Sequence, residues 1–176
     1  MPARTATELE GLLDQMEKQA EPPHPEALDS VSGAIAKLFC VQPDEVAVLE
    51  LHLASKALRF VLPEKLRVVG SIPLTSSVAL AARTVRERRS DVLNNFAQSR
   101  HASVFEGVPL GRAQSVCIQK LMSAPILKEG KVLGVAQISR KGESLECGPD
   151  FKPTDLKTLQ GLNDLLARFL LLVRAA

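Results

Sequence analysis

The sequence predicts a mixed α/β chain of the α+β type, and three observations carry that prediction. Apolar residues recur at helical spacing at both ends of the chain. Two central stretches switch to a period of two, each folded about a short polar turn. Prolines and glycines separate these blocks. At 176 residues and 45% hydrophobic content, the chain can bury one full core. That core is aliphatic, since there are six Phe and no Trp or Tyr.

The elements follow in order. Leu9, Leu12, Leu13 and Met16 share one face of a helix expected over residues 7–20. The run EPPHP ends it, because proline removes backbone donors and disfavours helix in the residue before it. A second helix is expected from Pro25 to Cys40, with Leu28, Val31, Ile35, Leu38 and Phe39 as its stripe. In EVAVLELHLASKALRFVL, Leu49, Leu51 and Leu53 share one face and Glu50 and His52 the other. Leu58, Phe60 and Leu62 alternate with Arg59 and Val61, so a hairpin turning at Ser55-Lys56 is expected. GSIPLTSS is read as a loop, with a helix capped near Thr75 or Ser76 and running to about Arg88. DVL is a short strand. A short helix is expected around Arg112 to Val116. IQKLMSAPILKEGKVLGVAQISRK forms a second hairpin, with a glycine at its KEGK tip. A last helix is expected to start at Thr154 and Asp155, where a threonine cap and an acidic first turn suit the helix dipole.

Composition narrows the function classes. The net charge of +2 implies no polyanionic partner, and six scattered Phe offer no stacking platform, so nucleic acid is not an expected partner. The basic run from Arg83 to Arg89 is read as cations at a helix C-terminus. The start of the chain is charged and amphipathic, with no targeting segment expected. The longest late apolar run, Phe169 to Val173, is too short to span a bilayer. Cys40, Cys117 and Cys147 form no C-x-x-C pair, which favours a reduced, cytoplasmic setting. Cys40 and Cys117 are expected to be small buried hydrophobes and Cys147 a surface thiol. His24, His52 and His101 lack a spaced partner, so no metal is expected, and no glycine-rich phosphate loop points to a cofactor.

The second hairpin and the segment after it resemble the C-terminal half of a GAF domain. Pro125-Ile126, then Gly134-Val135-Ala136-Gln137, then Phe151 with Asp155 at a helix start carry the likeness. It extends over about residues 26–173, the first half matching by order of elements. The resemblance implies a GAF-like antiparallel sheet of five to six strands with terminal helices packed on one face. It divides the chain into an N-terminal amphipathic helix with a proline-rich link (1–24) and a GAF-like domain with its long C-terminal helix (25–176). Cyclic-nucleotide-binding members carry an Asn-Lys…Phe-x-x-x-Asp-Glu signature. Lys141, Phe151 and Asp155 match it, while Arg140 and Leu156 stand where it has Asn and Glu. The matching residues are read as scaffold: Lys141 and Asp155 tie a loop down and Phe151 plugs the core.

In such domains the segment after the third strand commonly walls a ligand cavity, which places VLNNFAQSRHASVFEG in question. The candidate ligand-binding residues are Asn94, Asn95, Phe96, Arg100, His101 and Phe105. Arg100 could pair with an anionic group and His101 could donate or accept a proton-bearing bond. The bland alternative has Asn94 and Asn95 bonding their own backbone, His101 and Ser103 capping a local turn, and Phe96 and Phe105 anchoring the loop. No catalytic residue is assigned, because Ser103 lies in no G-x-S-x-G turn and Glu106 shares the loop of His101 without an evident orienter. The leading expectation is a stand-alone sensor or regulatory module for an unknown small molecule, its output carried by an unidentified effector protein. The alternatives are a redox enzyme of the free methionine sulfoxide reductase type and a ligand-free structural adapter. Leu159, Leu162, Leu166, Phe169 and Val173 form a coiled-coil-like seam, with Leu156, Leu165 and Leu170 to Leu172 off it, so a homodimer through terminal helices is expected.

Overall fold

The computed structural model describes residues 2–19, 21–99, 101 and 105–175. Five α-helices are described: α1 (Pro2–Lys18), α2 (Pro25–Phe39), α3 (Leu80–Glu87), α4 (Pro153–Gly161) and α5 (Asn163–Ala175). The strands are β1 (Val46–His52), β2 (Ala57–Leu62), β3 (Ser71–Pro73), β4 (Asp91–Leu93), β5 (Ile118–Lys128) and β6 (Lys131–Lys141). They form one six-stranded sheet in the order β3-β2-β1-β6-β5-β4, every neighbouring pair antiparallel.

The period of two divides the sheet into two faces. Val48 of β1, Met122 of β5 and Ile138 of β6 meet Leu9 and Leu13 of α1, Val31 and Ile35 of α2, and Phe169 and Leu170 of α5. The opposite face carries Leu49, Leu51, Leu58, Phe60 and Val135 under Ala81 and Val85 of α3. The terminal helices thus lie on one face, leaving the other to α3 and the loops. Glu50 points to the helix side and is 7% exposed. Arg174 Nε donates to its Oε1 at 2.5 Å and His52 Nε2 lies 3.0 Å from its Oε2.

Several elements differ from expectation, each for a local reason. The loop GSIPLTSS contains β3, which pairs Ser71 to Pro73 with Arg59 to Ala57 of β2. The following helix starts at Leu80 and not at Thr75 or Ser76. Leu74 N–H is committed to Lys56 O (2.9 Å), and Ser76 Oγ accepts from Ala79 N–H (3.1 Å) in a turn that precedes the helix. Residues 112–116 form no helix. Leu110 and Gly111 hold positive φ (51° and 88°), and Arg112 N–H closes a turn on Pro109 O. The last helix is two helices, broken at Leu162. Asn163 pins the break to β5, accepting from Leu127 N–H (2.7 Å) and donating to Leu127 O (2.9 Å). Its start is closed by the carboxylate of Asp155, which accepts from Lys152 N–H (2.7 Å), in place of a threonine cap. Leu53 is 77% exposed in the β1–β2 turn. The hairpin tip is a tight turn with positive φ at Glu129 (49°) and Gly130 (75°), the conformation a two-residue loop between twisted strands requires.

Within the chain, α1 packs on α2 and α5. Arg168 of α5 reaches Asp14 and Glu17 of α1, each at 2.5 Å. Leu159, Leu162, Leu166 and Phe169 of the apolar seam are buried in this packing, and Leu165, Leu171, Leu172 and Val173 are half-buried. No helix among the described residues is long and apolar enough to cross a membrane.

Candidate functional site

The α3 face of the sheet holds a cavity of about 90 Å³. Its floor is built by alternation: Gln137, Ser139 and Lys141 of β6 face it, while the alternating Ala136 and Ile138 face the helical core. Ala47 of β1 and Phe60 of β2 extend the floor. Leu80 of α3, Leu66, Ile72, Ile118 and Leu121 form apolar walls. Phe96, His101, Phe105 and Glu106 supply the wall contributed by the loop after β4. A water-sized sphere occupies ~10–15 Å³ on this scale, so the space suits a ligand of a few heavy atoms and is small for a nucleotide.

The loop wall is organised by its own side chains. Phe96 is buried, and the His101 ring stacks on it with centroids 4.2 Å apart. Phe105 tilts against Phe60 at 4.7 Å. His101 Nδ1 lies 2.8 Å from Ser99 O, which only accepts, so Nδ1 carries a proton. Nε2 lies 2.7 Å from Glu106 Oε1 in an ion-pair contact off the line of a hydrogen bond. Glu106 is anchored through its other oxygen, which accepts from Ile118 N–H at 3.3 Å. Its side chain is 10% exposed. Oε1 is therefore a buried acceptor at the cavity with no hydrogen-bond partner among the described residues.

A charged cluster closes one end. Arg112 grips Asp44 with two bonds (Nε to Oδ2 2.6 Å, an NH2 nitrogen to Oδ1 3.1 Å) and reaches Glu45 Oε1 at 3.2 Å. Lys141 Nζ donates to Asp44 O at 2.9 Å. Glu45 accepts from the amides of Gln42 and Lys141, both at 2.7 Å. The hydrogen bond to Asp44 pushes the Arg112 guanidinium above its ordinary range. Burial holds the Lys141 ammonium below the usual lysine range, against the pull of Asp44. Two acids thus meet two cations, and Glu106 stands apart from that balance.

The predicted residues separate into groups. Phe96, His101 and Phe105 line the cavity. Asn94 does not: its Nδ2 donates to Phe151 O (3.0 Å) and its Oδ1 accepts from Phe151 N–H (2.8 Å), clamping the loop to the segment before α4. Asn95 is exposed and outside the lining. Arg100 and Ser103 fall outside the described residues. Phe151 is 3% exposed, with the Arg140 guanidinium 4.7 Å over its ring. Lys141 bonds the Asp44 end and Asp155 the start of α4, so they anchor separate segments. Lys120, with its side chain 5% exposed, holds the loop before α4 through Gly148 O and Asp150, both at 2.7 Å. Sequence reasoning missed Lys120, Gln137, Ser139 and the Arg112 cluster. The alternation along β6 was the available signal for Gln137 and Ser139; the Arg112–Asp44 pair spans the chain and left none. All three cysteines are exposed, which corrects the expectation of burial for Cys40 and Cys117, and none of them lines the cavity.

The GAF domain family model matches residues 25–170, and the chain belongs to the GAF domain family. Solved structures agree on the fold. The GAF domain from an Acinetobacter phosphoenolpyruvate-protein phosphotransferase superposes with a TM-score of 0.66 at 15% identity, covering 98% of this chain and 96% of that one. Free methionine-R-sulfoxide reductase from Neisseria meningitidis, in complex with its substrate, gives 0.62 at 16% identity, with 98% and 92% covered. The second GAF domain of DevS from Mycobacterium smegmatis gives 0.54 at 14% identity, with 86% and 96% covered. At these identities the likeness is one of fold. No curated protein matches the chain by sequence.

Proposed function

We propose that this chain is a small-molecule sensor module whose ligand occupies the cavity on the α3 face. The observation that carries the reading is Glu106 Oε1, a buried carboxylate oxygen at an otherwise largely apolar cavity, which touches His101 Nε2 but has no hydrogen-bond partner among the described residues. A buried acceptor that lacks a hydrogen bond is costly, so the complementary ligand is compact, mostly apolar and bears a donor or cationic group. Phe96 and Phe105 would cover its apolar part, and Gln137 and Ser139 would bond its polar edge. Asn94 then serves to set the loop, through its clamp on Phe151. Ligand binding would bias the 94–111 segment, and β6, which faces the cavity with one side and α5 with the other, would pass the change to the terminal helices. An effector protein would read it there. A homodimer would use the half-buried Leu165, Leu171, Leu172 and Val173 of α5, since Leu159, Leu162, Leu166 and Phe169 of the seam are buried within the chain. Sulfoxide reduction by thiol chemistry is the weaker reading, because no cysteine reaches the cavity.

Native mass spectrometry of the purified chain, followed by a thermal-shift screen of small amines and amino acids, tests this. A hit should bind Glu106→Gln roughly tenfold to a hundredfold more weakly, the range for losing one charged hydrogen bond. Absence of any bound species and of any shift across the screen would sink the sensor reading. The same native spectra give the oligomeric state.

A further inference from the structure

The geometry points to a reversible disulfide between Cys117 and Cys147, at the end of the β5–β6 ladder and away from the cavity. Cys117 stands directly opposite Gly142, one step beyond the Ile118–Lys141 pair, with Gly142 N–H donating to Cys117 O at 3.0 Å. Opposed residues in an antiparallel pair present their side chains on one face with Cβ atoms ~4.5–5.5 Å apart. Gly142 has no side chain, and a Cβ there would stand 2.4 Å from the Cβ of Cys147 and 3.6 Å from its Sγ. Cys147 therefore occupies the position of the cross-strand neighbour that Cys117 lacks. A disulfide needs Cβ atoms ~3.5–4.5 Å apart, and the bridge would form by movement of the turn at Leu145–Cys147 toward Cys117. Both thiols are exposed and open to a dissolved oxidant.

The oxidant class is a peroxide. One thiolate attacks the O–O bond, which breaks to give a sulfenic acid and hydroxide. The second thiolate attacks that sulfur, the S–O bond breaks, and the S–S bond forms with loss of hydroxide. Two thiols lose two electrons and two protons, and one peroxide becomes two waters. A dithiol reverses the reaction and leaves as its own disulfide. In a reducing compartment such an exposed pair serves as a redox sensor and not as a permanent staple. The bridge would tie the loop before α4 to the strand end carrying Ile118, whose amide holds Glu106.

The test treats the full chain with one equivalent of hydrogen peroxide and counts thiols under denaturing conditions. The three thiols of the chain should fall to one. A non-reducing digest should yield one linked peptide pair containing Cys117 and Cys147, and dithiothreitol should restore all three thiols. Cys40→Ser should form the same link and Cys117→Ser should not. An unchanged thiol count, a link through Cys40 or a link between chains as the main product would overturn the proposal. This outcome is independent of whether the cavity binds a ligand.

Discussion

Gly134→Ala is expected to destabilise the fold by about 3 kcal/mol, the upper part of the range for forcing a side chain into a packed site. Gly134 lies in β6 opposite Glu50 of β1, at the centre of the sheet. A Cβ there would collide with the Leu49 carbonyl oxygen and stand 2.8 Å from Leu170 Cδ1 of α5. The first obstacle is backbone and cannot swing aside; the second is a fully buried side chain at 0% exposure. Urea denaturation should show the midpoint falling by about 1.5 M at a slope of about 2 kcal/mol/M. A loss below about 0.5 kcal/mol, the scatter of surface substitutions, would show that β6 and α5 separate freely.

Arg112→Ala has the second large expected effect, about 2 kcal/mol. Its guanidinium serves two carboxylates of 11% and 7% exposure. Removing one partner of a buried pair costs more than the pair contributes, because the other charge stays buried. The cost is moderated here. Lys141 Nζ remains 3.5 Å from Asp44 Oδ2, and Glu45 keeps the amides of Gln42 and Lys141. Arg112 is also 28% exposed, so water replaces part of what is lost. Arg112→Lys should recover less than half of the loss, since a single ammonium cannot grip both oxygens of Asp44. Hydrogen exchange should rise over residues 105–117, because Arg112 fastens that stretch to the segment before β1. Unchanged exchange and a loss within about 0.5 kcal/mol would show that this latch contributes nothing.

The hairpin of β5 and β6 was legible in the sequence because its signals are local: alternation over two long strands and a glycine where the turn needs positive φ. The second helix was legible from Pro25 and one apolar stripe. β3 was not, since three residues including Pro73 carry no period and pair only because β2 lies beside them. The break between α4 and α5 was hidden for a similar reason, as Asn163 acts on a strand 36 residues away. In the site, the aromatic and polar density of the 92–107 stretch flagged Phe96, His101 and Phe105. Asn94 drew attention by the same density, yet its partner is Phe151, 57 residues later. Residue type announced a role for Asn94, and only tertiary placement separated clamp from cavity wall.

The order of strands has a consequence for how the chain is made. β1 and β6 lie side by side at the middle of the sheet, yet Val46 pairs with Ile138 across about half of the sequence. During synthesis the β1–β2–β3 meander emerges first, with the inner edge of β1 unpaired. That edge waits for some eighty residues to follow, and its neighbours are apolar. An open, apolar strand edge is a template for pairing between nascent chains. Closure depends on a late, long-range event of the kind that slows folding. The β5–β6 hairpin, by contrast, forms from adjacent residues and can dock as one piece. A ribosome paused before Lys131 therefore holds this protein at its most aggregation-prone stage, with every residue of the first hairpin already made and its partner still absent.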